Sequence, residues 1–283
     1  MSEIVVGVNI AGPADLRAVR WAAERASGRG IRLRLVYVIE EQAPTSADVA
    51  EHAAVGEGAQ RSIDEARAAA KEVDPKLEVV AELERGQPVD VLEQLTGDAE
   101  LLVVGSDWHG GRRASRRRVT SLRIAAASAV PVAVIPDIDV SQRRGVVVGV
   151  DQSRPSNAAL AFAAEEAARR RVPLIAVHAW DVAWNTNLEY GYGLDTPAAE
   201  DLSRAAEAML DEVLEPVLAE RPGLEVVRVV QAGDPVELLA DAADDADLLV
   251  VGSHGRGALA RFLLGSVSHG ILAHLEAPTV IVR

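Results

Sequence analysis

The sequence has no cysteine, which excludes disulfides, thiolate metal sites and cysteine nucleophiles together. Lysine is nearly as scarce: Lys71 and Lys76 are the only two, and the C-terminal half has none. A phosphate-binding G-x4-G-K-[ST] loop is therefore absent, and with it the lysine that stabilises a transferring phosphoryl group. No uninterrupted apolar run reaches the roughly eighteen residues of a membrane span. Residues 1–9 lack the basic lead and apolar stretch of a signal peptide, so a cytoplasmic location is expected. Aromatic residues make up only 3% of the chain although 49% is hydrophobic, so the core must be built from Ala, Val, Leu and Ile. That mixture of helix and strand formers points to an α/β protein. Clustered cations are scarce too. The net charge is −14, which argues against nucleic acid as a partner. Residues 1–144 hold 19 basic and 22 acidic side chains (−3), and residues 145–283 hold 10 and 21 (−11).

What is present is a duplication. A chain of 283 residues suggests two domains, and the sequence repeats accordingly. Ile4-Val-Val-Gly-Val-Asn9 returns as Val146-Val-Val-Gly-Val-Asp151, each followed four residues on by a proline (Pro13, Pro155). Gly86-Gln-Pro-Val-Asp returns as Gly233-Asp-Pro-Val-Glu, and Leu101-Leu-Val-Val-Gly-Ser106 as Leu248-Leu-Val-Val-Gly-Ser253. Pro131 and Pro278 precede the last apolar run of each copy. The offset is 142 at the start (149 − 7) and 147 from Gly86 onward (233 − 86), so the second copy gains five residues between these points. These fall most naturally in the segment from Trp180 to Asp195. The period is too long for a solenoid and means duplicated domains, 1–138 and 145–283, joined by a short linker from Asp137 to Gly145.

In the second copy, strands are predicted at Val146 to Val150, Leu174 to His178, Leu224 to Val230, Leu248 to Val251 and Thr279 to Val282. Near-continuous Val, Leu and Ile runs suit parallel strands covered on both faces. Helical patterns fill the gaps over Ser156 to Arg171, over Pro197 to Ala219 despite Pro216, and over Pro235 to Ala243 with Asp234 as its cap. This alternation predicts an α/β, doubly wound parallel sheet in each copy. Ligands of such sheets lie beyond the carboxyl ends of the strands, where strand order reverses.

The fourth strand of the second copy runs into Gly252-Ser-His-Gly255-Arg-Gly257, and an apolar stretch then leads to Leu264-Gly265-Ser266-Val267-Ser268. The spacing is G-x2-G-x9-G-[ST]. Gly252 and Gly255 permit close backbone approach and positive φ. Gly265 and Ser266 would open a helix whose unpaired amides and dipole welcome phosphate, with Ser266 and Ser268 adding hydroxyl donors. The alternative is a tight strand-to-helix turn with no ligand. Asp151, at the end of the first strand, can hydrogen-bond a ribose or an adenine edge, help hold Mg²⁺, or cap the following helix in competition with Ser153 and Ser156. Trp180, Trp184, Tyr190 and Tyr192 cluster in the enlarged segment, either to stack on adenine or to pack at an interface. No two histidines have metal-ligand spacing, and His254 beside Ser253 has no evident carboxylate to orient it.

Gly-Val-Asp151-x-Ser-x-x-Ser156-x-x-Ala-Leu160, Val177-His178 and the G-x2-G-x9-G-[ST] loop resemble the universal stress protein family. The resemblance covers the chain twice, as in tandem-domain members common among actinobacteria. It implies five-stranded parallel sheets in the order 3-2-1-4-5. It also implies a pseudo-dimer within the chain and a homo-oligomer through edge strands. It implies ATP as the ligand, with or without Mg²⁺, held by Gly252, Gly255, Gly265, Ser266, Val267 and Ser268, with Asp151 on the nucleoside and backbone at Ala179 on the adenine. The first copy departs from the pattern. At the 147 offset Gly105 matches Gly252, but Trp108 stands for Gly255, Arg118 for Gly265 and Val119 for Ser266. At the 142 offset Asn9 stands for Asp151. The first copy is therefore expected to bind no ATP in this manner. Its Gly110, Gly111, Arg112, Arg113, Arg116, Arg117 and Arg118 form a solvated basic face, a contact for the acidic half or an anion site. Arg112-Arg-Ala-Ser115 also has the form of a kinase target. A nucleotide-responsive regulatory protein and not an enzyme is expected; a slow ATP hydrolase or a non-binding interaction scaffold are the alternatives.

Overall fold

The computed structural model describes residues 2–9, 12–40, 49–97, 99–106, 116–180, 197–255 and 264–283. The chain divides into two compact units, Met1–Ile138 and Asp139–Arg283.

In the first unit, β1 (Glu3–Val8), α1 (Pro13–Arg29), β2 (Arg32–Ile39), α2 (Val49–Val73), β3 (Val79–Arg85), α3 (Pro88–Leu95), β4 (Leu101–Ser106), α4 (Arg116–Ala127) and β5 (Val132–Pro136) alternate strictly. The strands lie in the order β3-β2-β1-β4-β5, and neighbours run parallel. The second unit repeats the scheme with β6 (Val146–Gly149), α5 (Arg154–Arg170), β7 (Leu174–Trp180), α6 (Pro197–Glu220), β8 (Val226–Ala232), α7 (Pro235–Ala243), β9 (Leu248–Gly252), α8 (Ser266–Ala273) and β10 (Thr279–Val282). Its order is β8-β7-β6-β9-β10, again parallel throughout. The α/β, doubly wound class read from the sequence is what the chain adopts.

The near-continuous apolar strands exist because both faces of each sheet are covered. In β6, Val146, Val147 and Val148 are all fully buried, and so are Leu248 and Val250 in β9. Pro216 stays inside α6 without ending it. α7 starts where its cap predicts: the Asp234 carboxylate accepts from the amides of Val236 and Glu237. Residues 139–144 fasten onto the second unit, where Arg143 Nη1 donates to the carbonyls of Ala243 and Glu276. Among the described residues no helix is long and apolar enough to cross a membrane.

The positional consequence lies at β6. From β6 the chain moves outward to β7 and β8, then returns across β6 to β9. The carboxyl ends of β6 and β9 therefore diverge into connections on opposite sides, opening a crevice between them.

Candidate functional site

The crevice has a volume of about 200 Å³. Its floor is the ends of three neighbouring strands: Gly149 to Asp151 after β6, Val177 and Ala179 in β7, and Val251 and Gly252 in β9. Pro235 and Leu239 of α7 form one wall, while His254, Gly255 and Gly265 to Ser268 form the other. All eight residues singled out in the sequence, Asp151, Ala179, Gly252, Gly255, Gly265, Ser266, Val267 and Ser268, line this one crevice. Residues 256–263, inside the G-x9-G interval, lie outside the described residues, as do Trp184, Tyr190 and Tyr192 of the enlarged segment.

Asp151 is held by its own turn. Its Oδ1 accepts from the amide of Ser153 at 2.9 Å, and its amide donates to Ser156 Oγ at 2.9 Å. It does not cap α5: Ser153 does, accepting from the Ser156 amide. Ser156 Oγ in turn donates to the Gly149 carbonyl at 3.3 Å, which ties the helix start to the strand end. The turn imposes a left-handed backbone on Gln152, φ 64°, an uncommon conformation for a residue with a side chain. Sequence reasoning missed this position, and only the repeat could have flagged its surroundings.

The loop glycines work differently from expectation. Positive φ occurs at Gly30, Gly86, Gly145 and Gly233, not at Gly252, Gly255 or Gly265. What the loop requires is proximity. A β-carbon on Gly252 would stand 2.8 Å from the Ser156 amide nitrogen, so this glycine lets β9 pack against the start of α5. Gly105 does the same in the first unit, where a β-carbon would stand 3.1 Å from the Ala14 carbonyl. That part of the motif is packing, and it survives in both units.

Gly265 is the N-cap of α8 and offers no side chain to the first turn. Its own amide donates to the Ser253 carbonyl. The helix ladder begins with the His269 amide, which donates to the Gly265 carbonyl. The amides of Ser266, Val267 and Ser268 precede it and have no carbonyl within their own helix, as in any first turn. Ser266 is exposed. The Ser268 hydroxyl is already committed: it donates to the Gly252 carbonyl at 2.6 Å and reaches the Ser253 carbonyl at 3.2 Å. It ties α8 to the end of β9, a structural role beside the donor role expected from the sequence. Ser121, its counterpart in the first unit, makes the matching bond to Gly105.

In the first unit the matching helix starts earlier in the sequence. α4 already begins at Arg116, whereas the residue matching Ser266 is Val119. Thr120 and Ser121, the counterparts of Val267 and Ser268, thus lie within the helix, where carbonyls one turn back take their amides. Trp108 to Ser115 lie outside the described residues, and with them Gly110 to Arg113 of the basic stretch and the kinase-like pattern; the backbone of Arg116 to Arg118 belongs to α4.

His178 is buried, and its Nδ1 lies 2.7 Å from the Val150 carbonyl; a carbonyl only accepts, so the ring proton is on Nδ1. His254 Nδ1 lies 3.1 Å from Ser253 Oγ, superficially a nucleophile beside a base. However, Ser253 is only 2% exposed, and His254 Nε2 is buried with no hydrogen-bond partner among the described residues, so no carboxylate among them orients the ring. Burial, and to a lesser extent the charge of Arg283, hold the His254 imidazole below its ordinary pKa. Among the described residues no group of three His, Cys, Asp or Glu side chains is placed to hold a metal ion.

Comparison with known proteins adds four findings. The model of the universal stress protein family matches residues 1–136 and again 142–283. Universal stress protein Rv2005c of Mycobacterium tuberculosis is 35% identical over 291 residues, spanning 99% of this chain and 96% of the relative. Universal stress protein Rv2623 of the same species is 33% identical over 297 residues with the same coverage. Among solved structures, a universal stress protein from Archaeoglobus fulgidus superposes with a TM-score of 0.74 at 16% identity, covering 99% of this chain and 98% of that one. At that identity the superposition speaks for the fold.

Proposed function

This chain belongs to the universal stress protein family along both of its halves, and on that premise we propose that it is an ATP-binding regulatory module whose second domain alone holds the nucleotide. The observation that carries this reading is the crevice at the ends of β6, β7 and β9, which gathers an apolar cleft, a first helical turn of free amides and one carboxylate. The phosphates lie against the amides of Ser266 to Ser268 and the exposed Ser266 hydroxyl, where the helix dipole favours negative charge. The nucleoside lies along Val150, Val177, Ala179 and Leu239. Asp151, whose Oδ1 accepts from the Ser153 amide, turns its carboxylate towards the hydroxyls of the ribose. Mg²⁺, where present, travels with the phosphates and keeps several of its waters.

A binding role is favoured over catalysis because the described lining residues include no lysine or arginine to answer the charge of a phosphoryl group in transit. The Ser253–His254 pair is too enclosed to act on a substrate. In the first domain, the early start of α4 and the replacement of two loop glycines leave no equivalent cradle.

Native mass spectrometry of the full chain tests this reading. One adenine nucleotide per chain is expected, together with a thermal shift on adding ATP and Mg²⁺; ligand at 100 times its Kd stabilises by about 2.7 kcal/mol. No shift at millimolar ATP would favour an interaction scaffold. Steady turnover of ATP would favour a hydrolase. A nucleotide found in the first domain would overturn the assignment.

A further inference from the structure

We propose that His254 couples ligand binding in this crevice to proton uptake: a phosphate-bearing ligand against Gly255 and the first turn of α8 draws a proton from solvent onto the His254 imidazole. Affinity then rises as the solution becomes more acidic. The inference rests on the reading of the crevice as a nucleotide site.

Three observations place the burden on this residue. First, Asp151 and His254 are the only ionisable side chains among the described residues lining the crevice. A phosphate chain entering there brings several negative charges close to an existing carboxylate. Of the two groups, only the imidazole can become cationic.

Second, the His254 backbone is anchored at the mouth of the loop. The His254 carbonyl accepts from Ser153 Oγ at 3.2 Å, and Gly265 packs against its backbone, since a β-carbon there would stand 3.2 Å from His254 Cα.

Third, one nitrogen of the ring is unanswered. The Ser253 hydroxyl pairs with Nδ1 in either protonation state, because a hydroxyl both donates and accepts. Nε2 is buried without a partner among the described residues.

Among the described residues, the charged and titratable groups on the elements packed around it are Asp151 in the turn after β6, Arg283 after β10, and His269 on α8. Without ligand, burial and then Arg283 hold the imidazole below its usual value, so the ring is neutral near pH 7. A nearby phosphate favours the charged form and raises that value in the complex. A group that binds its proton more tightly in the complex makes affinity rise as pH falls through the complex's pKa. The rise levels off below the pKa of the free protein.

The test is isothermal titration of the full chain with ATP and Mg²⁺ from about pH 5.5 to about pH 8.5, in paired buffers of different ionisation heat, beside His254→Gln. Phosphate oxygens titrate near pH 6 themselves, but equally for both proteins, so the difference belongs to His254. The unmutated chain should gain about tenfold more affinity over this range than the variant, one pKa unit of coupling, with additional proton uptake. On the unmutated chain alone, carbon NMR of the six histidines should show one ring whose titration moves upward when ATP is added. Identical pH profiles for the two proteins, or six unmoved histidines with ATP bound, would overturn the proposal and leave the nucleotide site standing. No ATP binding at any pH would overturn both.

Discussion

Gly255 and Asp151 are so close that a β-carbon on the glycine would stand 2.8 Å from the carboxylate Oδ2. The loop after β9 can therefore lie over the end of β6 only because position 255 has no side chain. The other carboxylate oxygen is fixed by the Ser153 amide, so Asp151 cannot swing away without breaking its turn. Gly255→Ala should leave the fold intact and weaken ATP binding by about tenfold, roughly 1.4 kcal/mol. In an Asp151→Ala background the same change should cost much less, because the group it collides with has gone. Calorimetric affinities for the four proteins give the coupling energy directly; strictly additive losses would show that the two residues act separately.

Ser266 and Ser268 look equivalent in the sequence and are not equivalent in the structure. Ser268→Ala removes a hydroxyl that holds two carbonyls of the β9 end. It should destabilise the second unit by about 1 kcal/mol, with little effect on ATP affinity beyond that. Ser266→Ala removes an exposed hydroxyl at the start of α8 and should do the reverse, lowering affinity several-fold with no change in unfolding midpoint. Urea unfolding and ATP titration of both variants decide the assignment. A large affinity loss in a stable Ser268→Ala variant would return that hydroxyl to the ligand.

Gly265→Arg transplants the residue that the first unit carries at the matching position, Arg118. A β-carbon at 265 would meet His254 Cα at 3.2 Å and the Ser253 carbonyl at 3.4 Å, close enough to shift that backbone by a few tenths of an ångström. The rest of the side chain must then enter the crevice or displace its rim. ATP binding should be abolished while circular dichroism and cooperative unfolding are retained. Retained affinity would detach the glycine loop from phosphate binding.

The repeat, the near-continuous apolar runs and the helical patterns made the fold legible, because strands buried on both faces leave few ambiguous positions. α7 and β10 span the predicted residues, Pro235 to Ala243 and Thr279 to Val282. The chemistry of individual groups was less legible wherever it depends on distant chain. Pro235 and Leu239 line the crevice from α7, a wall that only the crossover geometry brings to β6. Near the crevice, positive φ falls on Gln152 in the turn after β6 and not on Gly252, Gly255 or Gly265, a placement set by the close approach of the β6 turn to the start of α5. The role of Ser268 was hidden for the same reason: its acceptors are carbonyls some fifteen residues away, which no local spacing reports.

The first helix of each unit ends in a left-handed residue, Gly30 at φ 65° after α1 and Arg171 at φ 54° after α5. The two caps donate to matching carbonyls, Ala26 and Ser27 in one, Ala167 and Ala168 in the other. An arginine in this conformation carries a steric penalty of about 1–2 kcal/mol that glycine lacks, partly offset by the greater freedom of glycine in the unfolded chain. Arg171→Gly should therefore stabilise the second unit by about 0.5–1 kcal/mol, read from denaturant unfolding. A loss of stability would show that the exposed arginine contributes more than its backbone costs.

The two short helices that follow the Gly-x-Pro sequences offer a reciprocal experiment. Asp234 caps α7 with its carboxylate, whereas Gln87 precedes α3 with nearly the same backbone (φ −82°, ψ 129° against φ −72°, ψ 123°) and makes no side-chain cap bond. Pro88 and Pro235 both occupy the first turn, so the helices differ mainly in the residue before it. A short polar side chain in this position answers first-turn amides that are otherwise left to water. Asp234→Ala should cost about 1 kcal/mol, and Gln87→Asp should gain about as much for the first unit. The new carboxylate would accept from the amides of Val89 and Asp90 and favour the positive end of the helix. Its contribution belongs to the ionised form, so the gain should shrink as pH falls through the carboxylate range. If Gln87→Asp instead loses stability at neutral pH, repulsion from the nearby Asp90 outweighs the cap, and the equivalence of the two turns ends at the backbone.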